Sequence, residues 1–299
     1  MTAVKRFARP SNLEEALAAK RADPGAAYLA GGTLLLAGDG RDRPESVIDL
    51  GPSLPRDIAV EAEVLLLGAG LSFQDLAESA IVPPFLIDAA LSMANRNTRN
   101  RATLGGNLAA DKSCSSLVPL LLALGTELEV LTPFASPSGA EALSPPMSER
   151  LSLEAWLCDR EKPDSPRASD LVLRILVSLG PRRRAAYRRW NRLSCDLSVL
   201  GAAVAFDLEG QGSGAQGISS LHIALGGVGP RARRFPAIEE LFEGSALPSR
   251  ESIEAAVAPL LHPIDDLRAS AAFKRLRASQ LVAEALLDAA AGRGEGGKA

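Results

Sequence analysis

Two glycine-paired segments carry the clearest chemical signal in this 299-residue sequence. One is Ala30-Gly31-Gly32-Thr33; the other is Thr103-Leu104-Gly105-Gly106-Asn107, about seventy residues further on. Each sets two glycines beside a hydroxyl residue, next to apolar residues that read as strand. Glycine permits positive φ and lets a bulky ligand touch the backbone. Successive N–H groups in such a turn form an anion nest, and a following helix N-terminus adds positive potential. Thr33, Thr103 and Asn107 can add side-chain hydrogen bonds to phosphate oxygens. A single turn of this kind is more often structural than not. Two at this separation can clasp a pyrophosphate from both sides. A third turn, Gly68-Ala69-Gly70-Leu71-Ser72-Phe73, starts like a dinucleotide fingerprint but puts Phe73 where the third glycine belongs. It reads as a strand-to-helix turn with Ser72 and Asp75 near the helix cap.

Other chemistry is sparse. His222 alternates with apolar neighbours and His262 precedes a proline, so both read as structural. No Ser/His/Asp or paired-carboxylate constellation stands out. Cys114, Cys158 and Cys195 lie far apart with no C-x-x-C spacing, which argues against a disulfide framework or an iron–sulfur cluster held by this chain. Cys114, just past the second glycine turn, reads as a buried inert thiol; approach to a bound ligand is the alternative. The run Arg182 to Arg189, with Tyr187 and Trp190, suggests a polyanion site. The balance of 33 Lys and Arg against 36 Asp and Glu, net −3, leaves no field to hold nucleic acid. That run therefore reads as a solvated or interface face. Arg96, Arg99 and Arg101 fit a phosphate- or partner-facing role and a purely structural one equally well.

The elements that must position the glycine turns follow from periodicity. Length argues for two domains, and 46% hydrophobic with 23% charged residues is an ordinary globular composition. Ser11 and Glu14 form a capping box for an amphipathic helix that ends at Asp23-Pro24-Gly25. Short strands are expected at 26–29, 47–50, 64–67 and 127–131, and helices at about 72–80, 87–95 and 116–125. Residues 132–148, rich in Pro, Ser and Gly, read as a long surface loop. From Leu171 the pattern changes to successive antiparallel strands at 171–179, 184–190, 197–208 and 221–225, with a flexible connection over 210–217. Helices at 238–243, 253–261 and 267–290 follow, then a disordered tail over 292–299. The N-terminus has no apolar leader, and Leu117 to Leu124, interrupted by Pro119, is too short to span a bilayer. A cytoplasmic protein without a membrane span is expected.

Set together, A-G-G-T-L-L at 30–35, V-I-D-L at 47–50, R-N-R-A-T-L-G-G-N-L-A at 99–109 and L-L-L-A-L-G-T-E-L-E-V at 120–130 resemble the FAD-binding subunits of molybdenum hydroxylases. These include the flavin subunits of xanthine dehydrogenase and of aerobic carbon monoxide dehydrogenase. C-D-L-S-V-L-G-A-A-V at 195–204, I-A-L-G-G-V-G-P at 223–230 and D-L-R-A-S-A-A-F-K-R-L at 266–276 extend the resemblance through nearly the whole chain. It implies an α+β protein: a two-lobed FAD-binding domain of the vanillyl-alcohol-oxidase (PCMH) type over 1–168, its lobes split near 55–60, then a smaller α+β domain over 169–291 with an antiparallel sheet plus helices. By position, Ala30, Gly31, Gly32 and Thr33, with Ala102, Thr103, Leu104, Gly105, Gly106 and Asn107, would hold the pyrophosphate and ribityl region of a non-covalent FAD. Leu171 matches an apolar residue near the flavin ring, and Arg188 falls where relatives often carry a lysine close to it. Leu34 stands where many members have Asp, and Ser116 where many have an acidic residue, with Asp111 nearby but out of register.

The role implied is an oxidoreductase subunit. FAD takes electrons from 2Fe–2S clusters on a small partner subunit and passes them to NAD or another acceptor, while a large molybdopterin partner subunit oxidises the substrate. A stand-alone FAD oxidoreductase on the same fold is disfavoured, because no substrate-side acid, base or covalent flavin attachment is evident. A flavin-free assembly subunit is the third reading, motivated by Leu34 and Ser116.

Overall fold

The computed structural model describes residues 4–37, 43–133, 148–162, 164–209 and 217–292. The surface loop, hairpin connection and tail expected from sequence fall largely outside these.

Three sheets appear in chain order. The first is small and parallel: β1 (Arg6–Ala8), β3 (Ser46–Asp49) and β2 (Ala27–Leu29) pair in that order, with α1 (Leu13–Ala22) as the crossover. Parallel strands need such a crossover, and α1 buries Ala16, Leu17 and Lys20 along one stripe. Its cap is one residue later than Ser11 and Glu14. Asn12 Oδ1 accepts from the Glu15 N–H at 2.9 Å, and Glu15 accepts from the Ser11 N–H at 2.8 Å. The sequence Ser-Asn-Leu-Glu-Glu offers two caps one residue apart; Asn12 is the one used, and Glu15 reaches back to the N–H of Ser11 rather than of the cap residue itself.

The second sheet is antiparallel, in the order β4 (Ile58–Glu61), β5 (Val64–Gly68), β8 (Leu171–Ser178), β6 (Glu127–Leu131), β7 (Ser148–Ser152). Between β5 and β6 the chain makes five short helices: α2 (Phe73–Glu78), α3 (Pro84–Leu91), α4 (Arg96–Arg99), α5 (Leu104–Ala110) and α6 (Val118–Ala123). α2 carries the expected cap, Ser72 and Asp75 bonding each other's N–H groups. α3 starts earlier than the pattern suggests because Pro84 takes the first helical position, where its missing N–H costs nothing. α7 (Leu153–Arg160) follows β7.

β8 corrects the sequence reading. Leu171 to Ser178 is a strand, but it pairs with β5 and β6 rather than opening the later hairpins. Its run Leu-Val-Leu-Arg-Ile-Leu-Val is nearly all buried, as a central strand must be. The chain therefore reaches the third sheet only after Ser178, later than the expected boundary at 169.

That third sheet has the order β12 (Arg233–Arg234), β11 (Gly217–Gly226), β10 (Leu200–Glu209), β9 (Arg183–Trp190), all antiparallel. α8 (Pro236–Phe242), α9 (Arg250–Val257) and α10 (Ala271–Ala290) complete it. One face of the sheet, including Ala186 and Val204, shares a core with α9 and α10. The other, including Ala185, Tyr187 and Ala203, joins the core of the second sheet through α6. The three sheets thus meet around the segments that hold the glycine turns. Among the described residues no helix is long and apolar enough to cross a membrane.

Candidate functional site

A cleft of about 620 Å³ opens where the three sheets meet. Volumes of this order suit a large organic ligand. One wall is the Ala30–Leu35 turn after β2, the other comes from Ala102, Thr103 and Gly105 to Asn107 at the start of α5, and Leu171 and Val172 of β8 also line it.

The two glycine turns are brought into direct contact. A Cβ on Gly31 would stand 1.7 Å from the Arg101 carbonyl oxygen, so only glycine permits that backbone approach. Gly32 adopts φ +71°, the left-handed conformation the turn requires. None of the N–H groups of Gly31, Gly32, Thr33 and Leu34 donates to another described residue. These four successive donors at a cleft wall form a ready anion nest.

The second turn works differently from the expectation that both would offer backbone N–H groups. Leu104 N–H donates to Leu71 O, Gly105 N–H to Ala69 O and Gly106 N–H to Thr103 Oγ1. Those donors are spent on capping α5 and tying it to the third turn. Gly105 is needed for that tie, since its Cβ would come within 2.8 Å of Ala69 Cβ. What this wall presents to the cleft is side chain: Thr103 can still donate its hydroxyl proton, and Asn107 Oδ1 is buried without a hydrogen-bond partner. A buried polar atom left unpaired is costly and is commonly completed by a ligand or water.

Of the expected residues, Ala30, Gly31, Gly32, Thr33, Leu34, Ala102, Thr103, Gly105, Gly106, Asn107, Ser116 and Leu171 all line the cleft. Leu34 is exposed at its mouth and Ser116 is buried in its wall. Leu104 does not line it, its side chain being fully buried in the core. Arg188 does not line it either. It shares the α10 face of β9 with Ala186, and its guanidinium pairs with Asp288 at 2.7 Å. Successive strand residues face opposite ways, so the cleft receives its neighbour Arg189 instead. Asp111, the carboxylate out of register, lies outside the cleft and pairs with Arg231 at 3.0 Å. Burial pushes that carboxyl above its ordinary pKa, with Arg231 opposing the shift.

Other lining residues carried no chemical signal in the sequence. Tyr28 reads as ordinary strand, Lys112 sits in a segment without motif or periodicity, and Leu197 and Ser198 fall in the 195–204 segment that carries the resemblance but no site role. Asp170 also reaches the cleft, but its oxygens are taken by Thr132 Oγ1 at 2.6 Å and Trp156 Nε1 at 3.0 Å. Cys114 lines the cleft half-buried, and Cys195 lies exposed at its rim.

Residues 3–140 match the model of an FAD-binding domain in molybdopterin dehydrogenase. Residues 185–289 match that of the CO dehydrogenase flavoprotein C-terminal domain. An uncharacterized protein of Escherichia coli, YgfM, is 33% identical over 292 residues, covering 95% of this chain and 96% of that protein. The chain belongs to the FAD-binding subunits of the molybdenum hydroxylases. The nicotine 6-hydroxylase medium subunit of Paenarthrobacter nicotinovorans is 26% identical over 96% of this chain and 97% of its own length. In solved form, a chain of carbon monoxide dehydrogenase from Hydrogenophaga pseudoflava superposes with a TM-score of 0.81 at 27% identity, covering 97% of this chain and 99% of that one. FAD is thus the cofactor of this flavoprotein subunit. The cleft fits such a cofactor on its own terms. Among the described residues it offers N–H groups without acceptors for a pyrophosphate, an amide oxygen without a donor, and apolar lining from Leu171 and Val172.

Proposed function

We propose that this flavoprotein subunit holds FAD between its two glycine turns and relays electrons from the iron–sulfur clusters of a small partner subunit to NAD or another acceptor. The substrate would be oxidised on a large molybdopterin subunit. FAD, when bound, accepts electrons singly and releases them as a pair.

The observation that carries the reading is the row of four N–H groups, Gly31 to Leu34, without an acceptor among the described residues, in the same cleft lining as Thr103 and Asn107. These N–H groups and the Thr33 and Thr103 hydroxyls would bind the pyrophosphate, and Asn107 the adjoining polyhydroxyl chain. Leu171 and Val172 would exclude water from the flat ring. Arg189 and Lys112 supply positive charge to the cleft. No acid–base pair is required of this chain, because the protein contributes position and electrostatics to chemistry that the cofactor carries.

Purification followed by acid release of the bound chromophore tests the reading. About one FAD per chain is expected, with iron and molybdenum in co-purifying subunits. Anaerobic NADH should then bleach the flavin if NAD is the acceptor. A colourless, folded protein in the complete complex would overturn the reading in favour of an assembly role.

A further inference from the structure

Tyr28 is the least explained polar group of the cleft. It lies in β2, two residues before the Ala30 turn, and its hydroxyl oxygen is buried with no hydrogen-bond partner among the described residues. The ring cannot easily swing away to find one. Its inner side packs on the core of Leu17, Ile48 and Leu171. The Lys20 ammonium stands 5.4 Å from the ring centroid and is itself fixed by the carbonyls of Pro24 at 2.8 Å and Ala26 at 2.7 Å. The nearby Asp170 carboxylate is committed to Thr132 and Trp156. Burial holds the phenol well above its ordinary pKa, so it keeps its proton and remains a donor.

The surroundings indicate which part of a ligand this donor meets. The core that Tyr28 packs on brings Leu50, Leu54 and Leu171 to the cleft lining, and the charged groups near its phenol are Arg21 and the committed Asp170. Such lining suits a flat aromatic ring, while the charged pyrophosphate is served by the N–H groups beyond Ala30. An O–H donor beside mostly apolar lining fixes a ring's orientation at little loss of hydrophobic contact.

We propose that Tyr28 donates a hydrogen bond to the isoalloxazine ring of FAD, acting as a positioning residue that also favours the reduced ring. The proposal rests on the FAD reading above. Electron density on the ring oxygens and nitrogens rises on reduction, so a fixed donor binds the reduced form more tightly. A hydrogen bond of ordinary strength favours the reduced form by about tenfold, which is about 30 mV for a two-electron couple.

Tyr28→Phe in the full-length chain, expressed with its partners, tests this. The variant keeps the ring, its packing and the Lys20 contact, and removes only the hydroxyl. FAD titration of the apoprotein is expected to show about 5- to 20-fold weaker binding. The flavin absorption band should shift, and the potential should fall by about 30 mV. The apoprotein should melt no lower than wild type, and by about 2 °C higher if the orphaned hydroxyl is a burden. A merely structural tyrosine would instead lose melting temperature and leave the band and potential unchanged. Unchanged affinity, spectrum and potential in a folded variant would overturn the proposal. Weakened binding with an unshifted band would overturn the ring assignment. A wild-type complex that takes up no FAD would overturn the FAD reading itself, and is recognised by that control alone.

Discussion

At the scale of single residues, the site depends on backbone approach more than on side-chain chemistry. Gly31 shows this most directly. Its Cβ would overlap the Arg101 carbonyl oxygen at 1.7 Å, so Gly31→Ala must push the two walls apart. That should cost about 2–4 kcal/mol of stability and cut FAD content at least tenfold, read by thermal melting and acid release of the flavin. FAD content near wild type in a folded Gly31→Ala protein would separate the glycine turn from cofactor binding. The glycine pairs were legible in the sequence because two glycines beside a hydroxyl are rare outside tight turns. Their division of labour was not. That the Leu104, Gly105 and Gly106 N–H groups are spent on capping α5 depends on Leu71 and Ala69, which only the folded chain brings alongside. Arg188 failed for a different reason. In a strand reading Arg-Arg-Ala-Ala-Tyr-Arg-Arg-Trp no polar–apolar alternation marks the faces, so nothing local distinguishes Arg188 from Arg189.

At the scale of elements, the sequence specifies starts and stops wherever a cap chemistry is present. Ser72 and Asp75 frame α2 as expected, and Thr103 caps α5 by accepting from Gly106 N–H at 3.2 Å. α1 offers two caps one residue apart and uses Asn12. Asn12→Ala should therefore cost about 1 kcal/mol, and Ser11→Ala less than about 0.5 kcal/mol, because Ser11 contributes only its backbone N–H. Urea unfolding of the two variants decides between the overlapping caps, and equal losses would contradict the observed one. β4 was invisible for a related reason. Its hairpin to β5 turns through Ala62 at φ 46° and Glu63 at φ 65°, positions where glycine or asparagine normally announces the turn. The sequence marks β8 as a strand but does not mark its neighbours. Its partners β5 and β6 are distant in sequence, and a run of buried apolar residues fits any central position.

At the scale of the whole molecule, the third sheet, which lines the cleft through Arg189, packs on α6, and polar contacts at that seam include a titratable one. His222 on β11 hydrogen-bonds through Nδ1 to the Ala123 carbonyl oxygen at 3.0 Å, at the last residue of α6. Arg183 Nη2 donates to the same oxygen at 3.1 Å. As a carbonyl oxygen only accepts, Nδ1 carries the proton in the neutral ring. Burial lowers the His222 pKa below its ordinary value, and the positive charge of Arg234 and Arg183 adds to this, against Glu239 and the Ala123 hydrogen bond. The unfolded chain therefore takes up a proton that the folded seam resists. The stabilising contribution is complete above the unfolded value of about 6.5 and is lost as pH falls from there through the lower folded value. His222→Asn can still donate to Ala123 and cannot titrate. Its melting temperature should therefore fall less between pH 7 and pH 5 than that of wild type, with the two curves closest to parallel above pH 7. Because the same sheet also lines the cleft, FAD retention in wild type should decline over the same acid interval, and less so in the variant. Parallel melting curves across the whole range would show that the seam is indifferent to His222 protonation, leaving the carboxylates to account for any acid sensitivity.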